Sequence, residues 1–93
     1  MRSPIAHLEG ETSLRLDDGV PARLVWAGRR WRVSDTPSRL HARDMYYLGD
    51  RLTHLPDVWL GWRFQAHPDD GGEARVFDVI GSAGRWSVAH VFD

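Results

Sequence analysis

Two stretches in which Trp and Arg are spaced among β-branched and small residues constrain this chain more than anything else in it. The first is Leu24-Val25-Trp26-Ala27-Gly28-Arg29-Arg30-Trp31-Arg32-Val33, and the second runs from Val76 to Val88 around Gly81-Ser82-Ala83-Gly84. Each reads as two short strands around a turn, and Trp59–Ala66 reads as a strand between them. Side chains alternate across a strand, so an even loop length fixes the faces of the first hairpin. A two-residue loop pairs Leu24 with Trp31; a four-residue loop pairs Leu24 with Val33. Either way Leu24, Trp26, Trp31 and Val33 share one face, and Arg23, Val25, Arg30 and Arg32 share the other. The first face is the expected core.

The remaining segments fit the same plan. Thr12–Leu16 alternates like a first strand, Asp17-Asp18-Gly19 is a turn, and Pro21 opens the strand Ala22–Trp26. Trp59–Ala66 puts Leu60, Trp62, Phe64 and Ala66 on one side, and Gly61, Arg63 and Gln65 on the other. A four-residue loop in the last hairpin pairs Val79 with Trp86 and Phe77 with Val88. Val76 and Ile80 then face outward beside Asp78, which predicts a second covered surface or a contact site. The spacing predicts an all-β fold: one small barrel or roll, SH3-like or OB-like, of five or six antiparallel strands. It occupies residues 1–93 as a single domain, with 1–10 a loose lead-in. Residues 37–58 are an insert. Thr36 as cap, Pro37 as first helical residue and Gly49 as stop fit a short helix near 37–48. The ragged stripe Leu40, Met45, Tyr46, Tyr47, Leu48 fits an irregular segment as well.

At 93 residues with no Cys, the fold has no disulfide to help it, and the five Trp supply much of its apolar bulk. No apolar run resembles a signal peptide or a membrane span, so the expected setting is cytoplasmic, away from membranes. All twelve basic residues are Arg. A GC-rich genome's codon bias accounts for this better than a need for bidentate contacts does, since the bias covers the whole chain. The net charge of −1 argues against an indiscriminate nucleic-acid binder. The charge is uneven, however. Residues 22–43 hold six Arg and one acid, Asp35, whereas residues 44–93 hold four Arg and eight acids.

The segments Leu24–Val33, Asp35–Leu40, Gly61–Gln65, Val76–Val79 and Val91–Asp93 resemble, in that order, a family of small actinobacterial domains of unknown function. The resemblance covers residues 20–93. Members look like accessory proteins encoded near, or fused to, Y-family translesion DNA polymerases. It implies a DNA-repair setting and a translesion polymerase as a protein partner. The family offers no catalytic residues to carry over, and His41–Trp59 matches nothing in it.

Chemistry-bearing residues are scattered. His7, His41, His54, His67 and His90 lack the close spacing of metal ligands, and no Ser lies in a nucleophile context. Asp69 and Asp70, beside two Gly, are turn residues first. No metal, cofactor or enzymatic activity is expected. The strongest candidate is the basic face, with Arg23, Arg29, Arg30 and Arg32 meeting nucleic-acid phosphate or an acidic partner. A solvated face whose charges lean on Asp78 or Asp35 is the competing reading. The alternative function is a protein–protein interaction scaffold using Val76, Ile80, Tyr46 and Tyr47, without nucleic acid. A third class is a small-molecule pocket ringed by Tyr46, Tyr47, Trp59 and His54. A monomer or weak homodimer is expected.

Overall fold

The computed structural model of the chain describes residues 12–41, 44, 59–82 and 84–92. They form seven strands: β1 (Thr12–Asp17), β2 (Val20–Trp26), β3 (Arg29–Val33), β4 (Ser38–His41), β5 (Trp59–Pro68), β6 (Arg75–Ser82) and β7 (Arg85–Phe92). The sheet runs β1-β2-β3-β5-β6-β7, with every pairing antiparallel. β3 pairs with the last residues of β5 and β4 with its first, so both lie along one edge of that long strand. The sheet curls into a half-barrel, and β7 returns close to β1. The architecture is thus all-β and barrel-like, as the strand spacing predicts. No helix among the described residues is long and apolar enough to cross a membrane.

The turns close where Gly permits a positive φ. Asp18-Gly19 (φ 59° and 80°) and Ala27-Gly28 (φ 53° and 77°) are two-residue loops of the kind that matches strand twist. The loop at 27–28 selects the pairing Leu24↔Trp31, Val25↔Arg30, Trp26↔Arg29.

Two bulges then keep apolar residues facing inward. Counting back from the Asp18-Gly19 turn, Leu14 would oppose Arg23. A shift at Arg15/Leu16 leaves Ala22 as the extra residue and sets Leu14 against Leu24 instead. In the last hairpin the turn closes two residues later than a four-residue loop predicts. Val79 pairs with Val88 rather than Trp86, and Gly81 pairs with Trp86. A second bulge, at Ala89, then sets Val91 rather than His90 or Val88 against Phe77. The pairing expected for this hairpin is therefore corrected by two residues and one bulge. The core face of β6 is unchanged, because a shift of two preserves parity.

The inner face holds Leu14, Leu24, Trp31, Trp62, Phe64, Ala66, Phe77 and Val79, with Trp26, Val33, Trp86, Val88 and Val91 packed against them. Phe77 is the hub. Trp31 and Trp26 meet it edge-on, at 4.9 Å and 5.5 Å between ring centroids, and Phe64 lies tilted against it at 6.0 Å. The indole N–H groups of Trp31 and Trp62 are buried and have no acceptor among the described residues, so contacts with their rings hold these two side chains.

The outer side of β4–β6 is covered as well. Leu40 and Asp78 lie on it and are buried, while Val76 and Ile80 are half-buried. This also corrects the helix read as one option for 37–48. Ser38–His41 is a strand, with Leu40 opposite Gly61. Pairing with the edge of β5 satisfies the backbone and buries Leu40 together. Most of the 37–58 insert, including Tyr46 and Tyr47, and the 1–10 lead-in lie outside the described residues.

Candidate functional site

The register of β1, β2 and β3 brings three guanidiniums into one row. Arg15 is opposite Arg23 across β1–β2, and Arg23 is opposite Arg32 across β2–β3. The row continues onto β5, where His67 is opposite Arg32. Arg30 stands on the same face of β3, two residues from Arg32 and opposite Val25. Neighbouring strands are about 4.8 Å apart, so the four positions of the row span roughly 14 Å. Like charges placed directly opposite one another are unfavourable by roughly 0.2–1 kcal/mol a pair unless something offsets them.

One acid does so in part. Arg23 Nη1 lies 3.1 Å from Asp69 Oδ2, in the turn after β5. Both side chains are partly open to water, so the pair contributes little to stability. Arg15, Arg30 and Arg32 are exposed and meet no carboxylate among the described residues.

Arg29 is not part of this row. It pairs with Trp26, on the Trp31 side of the hairpin, and its guanidinium sits 5.1 Å from the Trp31 ring centroid. Its Nη2 donates to Asp70 Oδ1 at 2.8 Å and to the Gly71 carbonyl at 3.3 Å. That hydrogen bond, and the positive charge behind it, hold the Asp70 carboxyl below the ordinary aspartate range. The structure thus gathers Arg23, Arg30 and Arg32, adds Arg15, and sets Arg29 aside as a clamp between two turns.

Neither acid expected to balance the face does so. Asp78 pairs with Arg63 (2.6 Å), and Asp35 Oδ1 accepts the Gln65 backbone N–H at 2.9 Å. Asp69 and Asp70 are turn residues that also anchor Arg23 and Arg29.

The row borders an open groove of about 550 Å³ lined by Asp17 and residues 20–23, 32–33 and 35–37. Val20, Pro21, Val33 and Pro37 are among its apolar lining residues, and Arg23 and Arg32 line it with them. A phosphate or carboxylate approaching here meets two guanidiniums, each with a fork that can give two parallel bonds, and the carboxylates of Asp17 and Asp35 line the same groove.

Other candidates are more dispersed. Among the described residues no group of three or more His, Asp or Glu converges on a metal-sized space. His41 contacts Asp44 at 3.7 Å through Nδ1, while His7 and His54 lie outside the described residues. Val76 and Ile80 flank the buried Asp78, and of the small-molecule ring only Trp59 is described. Comparison with protein-family models, curated proteins and solved structures finds no match to this chain.

Proposed function

We propose that this chain is a non-enzymatic binding module that holds a polyanion, nucleic-acid phosphate in the first place, on the face built by Arg15, Arg23, Arg30 and Arg32. The observation that carries this reading is the cross-strand row Arg15–Arg23–Arg32. Stacking three guanidiniums across three strands works against the sheet, and among the described residues a single Asp offsets one of them. A bound row of phosphates supplies the missing negative charge. The resemblance to domains that accompany translesion polymerases supports a role as an accessory in DNA repair in the cytoplasm, with such a polymerase as protein partner. An acidic protein segment is the other ligand the face suits. With a net charge of −1, binding is of micromolar strength at best and confined to low salt.

The test is a titration of labelled single- and double-stranded oligonucleotides at two salt concentrations. The variant carrying Arg30→Glu and Arg32→Glu serves as control, since both side chains point away from the core. Binding that weakens with salt and disappears in the variant supports the reading. Absence of binding at low salt rejects it and leaves the protein-interaction scaffold as the better account.

A further inference from the structure

We propose that Trp59 and Arg39 form a stacking site for a nucleobase, so that the strand held by the Arg face is single-stranded. The nature of the ligand rests on the phosphate reading above; the stacking site itself rests on separate residues and a separate observation.

Trp59 is 47% exposed, the most open of the large apolar side chains among the described residues. Its ring is nevertheless held in place. The indole N–H donates to the Gly61 carbonyl. Its ring meets that of Trp62 edge-on, 5.5 Å between centroids and 84° between planes. The Arg39 guanidinium lies 4.7 Å from the Trp59 centroid and 5.8 Å from that of Trp62. Trp62 is itself buried in the core. An exposed indole fixed by a backbone acceptor, a buried ring and a cation loses little further freedom when a flat partner stacks on it. It leaves apolar surface in water until one does.

The chemistry of the partner follows. A planar ring stacks on indole, and a guanidinium beside it adds cation–π attraction and a phosphate contact. An acidic peptide can meet Arg39 but brings no flat face to Trp59. Bases inside a duplex are already stacked and paired; those of a single strand offer their faces. The placement also links this site to the Arg face. Pro37 lines the groove beside Arg23 and Arg32, and Arg39 follows two residues later, roughly 7 Å along an extended chain. Arg39 lies on the Trp62 side of the sheet, so the bound strand passes over the β4 edge from the groove to Trp59.

The test uses the full chain labelled with ¹⁵N, whose five indole N–H signals are followed by NMR; the Trp59 signal is the one missing in Trp59→Phe. The probes are an oligothymidylate, the same strand annealed to oligoadenylate, and polyglutamate, all at low salt. The Trp59 signal is expected to move with the single strand and to stay in place with the duplex and with polyglutamate. Trp59→Leu is expected to weaken single-strand binding roughly tenfold, with Trp59→Phe recovering most of it. A Trp59 signal that stays in place at saturating single strand overturns the proposal without recourse to any variant. So does a shift of equal size with polyglutamate, or an equal loss in Trp59→Leu for single strand and duplex. If the signal stays still while Arg30→Glu with Arg32→Glu abolishes binding, stacking fails and the phosphate face stands. If Trp59 responds while that double variant binds like the parent, the phosphate face fails and stacking stands.

Discussion

Arg63 and Asp78 face each other across β5 and β6, and the guanidinium grips the carboxylate with two bonds, Nε to Oδ1 at 2.6 Å and Nη2 to Oδ2 at 2.8 Å. Asp78 is wholly buried, whereas the Arg63 side chain is 36% exposed. Around them, Arg63 lies 5.1 Å from the Phe92 ring, which packs on His90 at 4.3 Å. The pair is thus the polar centre of the covered outer side, with its carboxylate buried and its guanidinium partly open to water.

The asymmetry in burial predicts an asymmetry in mutation. Arg63→Met takes both guanidinium bonds from a buried carboxylate and is expected to cost about 3–5 kcal/mol. Asp78→Asn keeps the shape and leaves an Arg that can still reach solvent, so it is expected to cost less. Urea unfolding of both variants checks the order, and an Asp78→Asn loss as large as that of Arg63→Met contradicts it.

Gly61 predicts a second order. A Cβ built there falls 1.9 Å from the Val79 carbonyl oxygen, a backbone atom that cannot swing aside. At Gly84 (φ 76°) a Cβ meets nothing within 4 Å, and the cost is one of backbone conformation alone. Gly84→Ala is expected to lose about 1–2 kcal/mol. Gly61→Ala is expected to lose more, because β5 and β6 must separate where the sheet curls. Melting temperatures of the two variants decide the point, and equal losses mean that the close approach at Gly61 does not matter.

Much of this was legible in the sequence, and the reasons are local. Asp17-Asp18-Gly19 and Ala27-Gly28 mark turns, and because a two- or a four-residue loop at 27–28 is even, period-two alternation places Leu24 and Trp31 inward and Arg23, Arg30 and Arg32 outward either way. What alternation does not carry is the bulge. Arg15 joins the row only because Ala22 is passed over, a step that Pro21 hints at but no pattern counts. The bulge at Ala89 hides the partnership of Phe77 and Val91 in the same way. Long-range partners are further out of reach: Asp69 and Asp70 read as turn formers, and their reach to Arg23 and Arg29 depends on β3 pairing with the end of β5. Arg29 shows the opposite error, for its place in a run of Arg suggests the basic face while its parity puts it over Trp31.

Asp69 competes with any anion for Arg23, and this yields a gain-of-binding prediction. Asp69→Asn removes the one carboxylate paired with the row among the described residues. Because the pair is partly exposed, stability is expected to change by less than about 1 kcal/mol. Affinity for an oligonucleotide is expected to rise, most clearly at low salt. Fluorescence anisotropy with the parent and Asp69→Asn side by side measures it; weaker binding by the variant contradicts the placement of the ligand on Arg23.

The claim that Arg15, Arg23 and Arg32 act as a row on phosphate is tested most directly by the salt dependence of binding. Each phosphate neutralised on a single strand contributes about 0.7 to the slope of log affinity against log salt. The parent is expected to bind a single-stranded oligonucleotide with a steep negative slope, and Arg15→Gln and Arg32→Gln are each expected to make that slope shallower by about 0.7. Binding that ignores salt, or slopes that stay the same in both variants, contradicts the account.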